Sequence, residues 1–181
     1  GMINQGRIEA QEPLAEIILA QNKNCNINEE AINFINDNND VNSLEDAIDG
    51  AKDIIAETIS DNAIYRAYIR RFTYNTGKLI SNAKDESLES VYEMYYNFEE
   101  PISKIAGHRI LAINRGEKEK ILSVKISVDD ENILNYLFKM IFTNNNKECE
   151  QIISDAVADS YKRLISPAIQ RDIRNELTET A

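Results

Sequence analysis

The sequence predicts a mainly α-helical protein, a multi-helix domain with a small β element of one or two strands. Apolar residues recur at three- and four-residue spacing along most of the 181 positions, which is typical of amphipathic helices. By contrast, residues 121–128 (ILSVKISV) alternate apolar and polar side chains, as a half-buried strand does. Breaks rich in Asn and Asp separate the helical segments, and their side chains favour turns.

The N-terminal part is predicted to hold a helix, a short helix and a turn. Pro13 should lie near the start of the first helix, over residues 12–21, because a proline there loses no hydrogen bond. A second, short helix is predicted over residues 29–35. The run of Asn and Asp over residues 36–42 then indicates a turn.

Capping signals place the next two helices. The stretch from Ser43 to Asp46 fits a capping box, so a helix should begin there and run to Ile59. Asp61 is expected to cap the following helix, which Gly77 would end. That following helix carries three arginines: Arg66, Arg70 and Arg71.

The middle of the chain combines short strands with an aromatic segment. A brief strand is predicted over residues 78–81, and a helix over residues 86–98. The aromatic residues of this helix are Tyr92, Tyr95, Tyr96 and Phe98. Their spacing favours packing in the core, while stacking on unpaired bases is the alternative. Pro101 should open a short helix ahead of His108.

The C-terminal third is predicted to be helical. Acidic residues 129–131 suit a helix N-terminus, and apolar residues continue that helix to Ile141. A loop over residues 143–146 precedes a long helix over residues 148–165. Ser166 and Pro167 then indicate the start of a last helix.

Charge is distributed unevenly along the chain. The formal net charge is −11, which taken alone argues against nucleic-acid binding. Residues 1–62 carry −10, residues 63–127 carry +3 and residues 128–181 carry −4. The basic segment 63–127 is therefore where a phosphate-binding surface is expected. There is no long apolar run and no leader-like N-terminus, so we expect a cytoplasmic location and no membrane contact.

Tests for catalytic and cofactor chemistry are negative. Nucleotide-binding glycine loops and nucleophile elbows are missing from the sequence, and Cys25 and Cys149 lack partners at metal-ligand spacing. Both cysteines are expected to be reduced thiols, and we expect no cofactor, no metal and no small-molecule substrate. A hydrolase would have only His108 to draw on, so we expect the protein not to be an enzyme.

The segment His108–Glu117 (HRILAINRGE) holds the only histidine, two arginines and a glycine. Arg109 and Arg115 could clamp phosphates, or they could pair with nearby carboxylates. Those carboxylates are Glu99, Glu100, Glu117 and Glu119. The candidate nucleic-acid-binding residues are Arg66, Arg70, Arg71, His108, Arg109 and Arg115.

This segment also carries a family resemblance. Glu100-Pro101, then HRILAINRGE and an alternating strand, resembles the Tex family of bacterial transcription accessory factors. The matching positions in the segment are His108, Arg109, Leu111, Ala112, Arg115 and Gly116. Three further stretches are similar in the same order: Glu12–Leu19, Ala47–Ala63 and Asp159–Thr178. A departure occurs at Lys84–Glu89 (KDESLE), where the family has a Gly-Lys-x-x-x-Gly stretch.

The resemblance implies the central helical region of a longer protein, covering residues 1–181, with a sub-boundary near residue 42. RNase H-like, helix-hairpin-helix and S1 nucleic-acid-binding domains would follow, so we expect the chain to be a fragment cut at both ends. The leading hypothesis is a structural domain of a factor that binds RNA or DNA and associates with RNA polymerase. The alternative is an accessory nucleic-acid surface on segment 63–127, and hydrolase activity is a third, weaker hypothesis.

Overall fold

The computed structural model describes residues 5–181, with side chains described from residue 11 onward. The first four helices are α1 (Gln5–Ala20), α2 (Ile27–Ile32), α3 (Leu44–Ser60) and α4 (Ala63–Thr76). The next four are α5 (Gly107–Lys118), α6 (Asp130–Ile141), α7 (Lys147–Asp159) and α8 (Ser166–Glu179). The strands are β1 (Lys78–Ala83), β2 (Asn97–Pro101) and β3 (Leu122–Ser127). The fold is mainly α with a small β element, as the sequence predicts.

The β element has three strands, one more than the sequence suggests. The strands form an antiparallel sheet in the order β2–β1–β3. Leu79 of β1 lies opposite Glu100 on one side and Ile126 on the other. The predicted strand over residues 121–128 is confirmed, with Leu122 and Ile126 buried and Ser123 and Lys125 exposed. Its alternation gives β3 one face in the core and one in solvent.

The chain divides into two compact units. Unit 1 runs up to Tyr65 and also contains Asn132–Ile165; unit 2 contains Arg66–Glu131 and Ser166–Ala181. The sequence shows how charge divides between them: unit 1 has 7 basic and 17 acidic residues, and unit 2 has 13 and 14. Unit 1 therefore carries most of the negative charge. The sub-boundary near residue 42 stays a prediction.

Unit 1 is a helical core centred on α3. Helix α3 packs against α1, α2 and α7 through small or branched residues, of which Ala47, Ala51 and Ile55 are completely buried. Gly50 leaves room for the buried Gln11 side chain of α1, because a Cβ there would meet its amide group. The predicted capping box is confirmed in part: the Ser43 hydroxyl accepts the Asp46 N–H at 3.1 Å.

Unit 2 is built on the sheet, with α5 packed against β3. Gly116 makes that packing close: a Cβ on this residue would lie 2.5 Å from Cδ1 of Leu122 and 3.2 Å from Cδ1 of Tyr92. Gly77, just after α4, is also confined, since its Cβ would lie 2.4 Å from the Thr73 carbonyl oxygen. Both glycines are required by close approach, and neither has a positive φ.

The predicted helix over residues 86–98 is wrong. Residues 84–92 form bends, turns and irregular backbone, Glu93–Tyr95 is a single 3₁₀ turn, and Asn97–Pro101 is the strand β2. Pairing with β1 makes residues 97–101 extended, because the strand satisfies its backbone hydrogen bonds across the sheet. Packing in the core is nevertheless confirmed for Tyr92 and Tyr95, which are 5% and 4% exposed.

Two helix boundaries also differ from prediction. Pro13 lies inside α1, which begins at Gln5, so it is not at the helix start. Helix α4 is capped by Asn62, whose Oδ1 accepts the N–H groups of Ile64 and Tyr65, while Asp61 closes the end of α3. A neighbouring Asn competes with Asp for the same capping geometry, and sequence gives no means of choosing between them.

The last helix begins at Ser166 as predicted, but it follows a π-helical turn over Ser160–Ile165. Pro167 has no N–H to donate to the preceding turn, and a wider turn accommodates this loss. The Ser160 hydroxyl, which is buried in unit 1, donates to the Ala56 carbonyl oxygen at 2.6 Å. Of the described helices, none is long and apolar enough to cross a membrane.

The loop that departs from the family pattern is held by side chains. Oδ1 of Asp85 accepts both the N–H and the hydroxyl of Ser87, at 3.0 and 2.6 Å. These hydrogen bonds favour the carboxylate and lower the pKa of Asp85. An Asp turn therefore shapes residues 84–89 without glycine.

We expect Gly116→Ala to destabilise the protein although alanine favours helices. The gain in helix propensity is about 1 kcal/mol, whereas overpacking at a closed contact costs about 1–3 kcal/mol. Urea unfolding followed by circular dichroism measures the difference. Lys118→Ala, at an exposed position of the same helix, is the control and should change stability by less than about 0.5 kcal/mol. An unchanged or raised stability of Gly116→Ala would show that Leu122 can move aside.

We expect Cys149 to resist alkylation in the folded protein. Burial, and secondarily the neighbouring Cys25 thiol, raises the pKa of Cys149 to about 12. The thiol is therefore protonated at neutral pH. Because the folded pKa is raised, stability is intact below the unfolded pKa of about 8.5 and falls as pH rises from there towards the folded value. Iodoacetamide labelling at pH 8, read by mass spectrometry, should modify the half-buried Cys25 first. Equal labelling rates would contradict this prediction.

Candidate nucleic-acid interface

Two of the three arginines of α4 line a groove in unit 2. Ile69 and Thr73 are the buried positions of α4, so Arg70, Arg71 and Tyr74 lie towards its solvent side. These three side chains and Glu176 of α8 line a groove of about 420 Å³. An Nη atom of Arg70 lies 2.5 Å from Oε2 of Glu176, so this arginine joins α4 to α8.

Two of the arginines on α4 differ from Arg70 in their surroundings. Arg71 is exposed and has no ion pair with the side chains that the structure describes. Arg66 is half-buried near the start of the helix. Of the three, Arg71 is therefore the most accessible to a phosphate.

His108 and Arg109 lie in the first turn of α5. His108 is exposed. Nη1 of Arg109 lies 3.7 Å from Oε2 of Glu100 on β2, and its guanidinium carbon lies 5.6 Å from the centre of the Phe98 ring. A cation over an aromatic ring with a carboxylate beside it is held from two sides. Arg109 therefore ties α5 to β2, which is the carboxylate pairing that the sequence left open.

Arg115 lies in the last part of α5, close to Tyr92. Burial raises the pKa of the Tyr92 phenol, the Glu119 carboxylate raises it further, and Arg115 opposes this change. The Arg115 side chain is exposed and makes no ion pair with the described residues. Arg115 therefore presents its positive charge to solvent.

The structure does not gather the six predicted residues into one cluster. Arg70 and Arg71 share a groove, but Arg109 lies beside β2 and Arg115 beside Tyr92. Arg109 and Arg115 are six positions apart, so they leave α5 on different sides. Their role in binding stays a prediction.

Sequence reasoning missed a second cleft in unit 2, between α5, β3 and α8. It has a volume of about 400 Å³ and is lined by Lys125, Arg171 and Arg174, together with polar residues. Lys125 and Arg171 are exposed. The spacing of Arg171 and Arg174 places both on one side of α8 and was a usable signal. The net charge of −4 over residues 128–181 masks this local pair of cations.

Arg174 of α8 binds two residues of α5 at this cleft. Its Nη2 lies 2.7 Å from Oε1 of Glu117 and 2.9 Å from Oδ1 of Asn114, both on α5. Asn114 in turn donates to the Thr178 hydroxyl at 2.8 Å, and that hydroxyl donates to the Arg174 carbonyl oxygen. The chain of hydrogen bonds fastens α8 to α5 and fixes one wall of the cleft.

A metal centre has no support among the described residues, since no three His, Cys, Asp or Glu side chains there could hold an ion together. His108 on the surface of α5 is the single imidazole of the chain. The arrangement offers cations and amide groups for binding anions.

Fold and surface together define a helical module with a three-stranded sheet and cationic clefts. The chain belongs to the Tex family, because the family model described as Tex central region-like matches residues 22–181. The resemblance noted in the sequence is thereby confirmed.

Individual relatives agree with this assignment. The chain is 46% identical over 173 residues to the uncharacterized protein YdcI of Bacillus subtilis, covering 94% of the chain and 24% of that protein. It is 30% identical over 156 residues to S1 RNA-binding domain-containing protein 1 of Pongo abelii, covering 78% and 16%. It is 26% identical over 159 residues to transcriptional accessory protein Tex of Neisseria gonorrhoeae, covering 84% and 19%. The chain thus spans about a quarter or less of the length of these relatives.

We expect Arg174→Ala to destabilise unit 2 by about 1–2 kcal/mol, because it leaves the Glu117 carboxylate and Oδ1 of Asn114 without their donor. A double-mutant cycle with Glu117→Ala should give a coupling energy of about 1 kcal/mol, measured by urea unfolding. The exposed pair Arg163 and Asp159, one turn apart on a helix, is the comparison and should couple by about 0.3–0.5 kcal/mol. Equal coupling energies in the two cycles would mean that the ion pair of Arg174 with Glu117 contributes no more than an exposed surface pair.

Proposed function

We propose that this chain is a structural helical domain of a transcription accessory protein whose full-length form binds nucleic acid. The names of two relatives support the proposal: one is a transcriptional accessory protein and another contains an S1 RNA-binding domain. A cytoplasmic location, and RNA polymerase as a partner of the full-length form, are parts of the same proposal. The catalytic alternative, a hydrolase, has no support in these names.

The observation that carries the proposal is the internal use of the arginines. Arg70 joins α4 to α8, Arg109 joins α5 to β2, and Arg174 joins α5 to α8. A guanidinium paired with a carboxylate has its positive charge partly neutralised and has fewer N–H groups left for a phosphate. Arginines that form ion pairs between elements stabilise the fold, and this favours a structural role for the domain.

Charge supports the same division of labour. Unit 1 has a net charge of −10, whereas unit 2 has a net charge of −1. A surface with ten excess negative charges repels a phosphate backbone at ordinary salt. Unit 1 is therefore an architectural element, and any contact with nucleic acid belongs to unit 2 or to other parts of the full-length protein.

The second candidate function is an accessory nucleic-acid surface on the basic segment 63–127. It is favoured by the exposure of Arg71 and Arg115, neither of which is ion-paired with a described side chain. The remaining residues proposed for that surface are Arg66, Arg70, His108 and Arg109. The accessory surface requires Arg71 and Arg115 for binding, whereas the structural domain does not.

The test uses a full-length Tex-family protein that carries this region. Gly116→Asp would place a charge in the closed contact between α5 and β3, whereas the double variant Arg71→Ala, Arg115→Ala removes exposed cations without breaking a described ion pair. We expect Gly116→Asp to lower RNA affinity by about tenfold or more through loss of architecture, and the double variant to stay within about twofold of wild type.

Fluorescence anisotropy with labelled RNA gives the affinities, and thermal unfolding reports the state of the domain. The reverse result, full affinity in Gly116→Asp and a loss in the arginine variant with an unchanged melting temperature, would overturn the structural role and establish the accessory surface.

A further inference from the structure

Strand β3 presents a free edge to the cleft between α5, β3 and α8. It lies at one end of the sheet order β2–β1–β3, so only its other side is paired. Val124, Lys125 and Ile126 are the β3 residues that line the cleft. The cleft wall on this side is therefore strand backbone as well as side chain.

The pairing register shows which backbone groups of β3 turn away from β1. The Lys84 N–H donates to the Ile121 carbonyl oxygen at 3.0 Å, next to the pair of Ala83 with Leu122. In an antiparallel pair hydrogen-bonded positions alternate, so Ser123, Lys125 and Ser127 bond to β1. Val124 and Ile126 then turn their N–H groups away from β1, and within residues 5–181 neither N–H has a hydrogen-bond acceptor.

Side chains add cations around these N–H groups. Lys125 and Arg171 are exposed, line the cleft and have no ion pair with the side chains that the structure describes. Arg174 contributes a third cation, and Glu117 is the one carboxylate among the lining residues. The lining therefore has a formal excess of two positive charges in a protein of net charge −11.

The single carboxylate is already engaged. Both oxygens of Glu117 accept from Arg174, at 2.7 and 3.3 Å, so they face α8. Asn114 and Thr178 extend this network and hold the wall in place before any ligand arrives. A wall fixed in advance loses little conformational entropy on binding.

We propose that this cleft binds the phosphate backbone of a nucleic-acid strand, with Lys125 and Arg171 as the cations that contact phosphates. Free strand N–H groups, lysine and arginine are donors that phosphate oxygens accept from. None of the six residues predicted from sequence lines this cleft, so the site is separate from them. The proposal adds a binding role to the structural domain proposed above, and does not depend on that role.

A strand of acidic peptide is the rival occupant, because a free β edge can pair with another strand. The observations favour nucleic acid, since the cleft offers two cations without a described ion pair, Lys125 and Arg171, together with strand N–H donors. A peptide strand would place its side chains alternately towards and away from the cations, and would use fewer of them.

The test is fluorescence anisotropy of the 181-residue chain with labelled RNA and DNA of about 12 nucleotides, single-stranded and duplex, at about 50 and 200 mM salt. The variant Lys125→Gln, Arg171→Gln is compared with the matched control Lys84→Gln, Lys104→Gln, which removes two exposed cations of unit 2 outside the cleft. Circular dichroism melting checks that both variants fold.

We expect the cleft variant to bind about tenfold more weakly and its salt slope for single strands to fall by about 1.4, because each lost phosphate contact removes about 0.7. The control should bind within about twofold of wild type. The RNA and DNA arms identify which strand is preferred, and saturable binding of either one with this dependence supports the cleft.

The proposal is overturned if wild type shows no saturable binding at low salt, or if the cleft variant behaves like the control. It is also overturned if only Arg71→Ala, Arg115→Ala weakens binding, or if polyglutamate binds through Lys125 and Arg171 while oligonucleotides do not. The structural role fails separately, through the Gly116→Asp result in the full-length protein.

Discussion

The close packing of Gly116 against Leu122 is the contact on which unit 2 depends. Leu122 is fully buried, and the Ile121 N–H donates to the Gly116 carbonyl oxygen at 3.0 Å, so side-chain and backbone contacts meet at one point. Tyr92 closes the same place from the loop before β2. Because α5 is fixed here, Arg109 can reach β2 and Glu117 can reach α8. The absence of a Cβ at Gly116 therefore allows the packing that supports the ion pairs at both ends of α5.

Patterns among neighbouring residues were sufficient to predict some of the elements. The alternation in residues 121–128 predicts β3, and the Ser43 capping signal predicts the start of α3, because each rests on neighbouring residues. Strand β2 could not be found in this way. Its residues follow a 3₁₀ turn, and their extended form is stabilised by pairing with β1, some twenty residues earlier in the chain.

The candidate site was predictable in composition but not in arrangement. Sequence located the basic third of the chain and left open whether Arg109 meets a phosphate or a carboxylate. The structure places Glu100 beside Arg109, a contact that joins a helix to a strand and leaves no local trace in sequence. Likewise, Lys125 and Arg171 are 46 positions apart, and only the packing of α5 between β3 and α8 brings them to one cleft. Ion pairing and charge clustering across elements depend on tertiary structure.

The open edge of β3 has a consequence for self-association. A strand edge with unpaired N–H and carbonyl groups can template addition of a strand from another copy, which leads to aggregation. Lys125 lies in the middle of that edge, and its ammonium group would lose water if a second strand lay alongside. Lys125 therefore contributes to the solubility of the domain at high concentration. A substitution that removes its charge weakens binding of anions and also favours association between copies through the β3 edge.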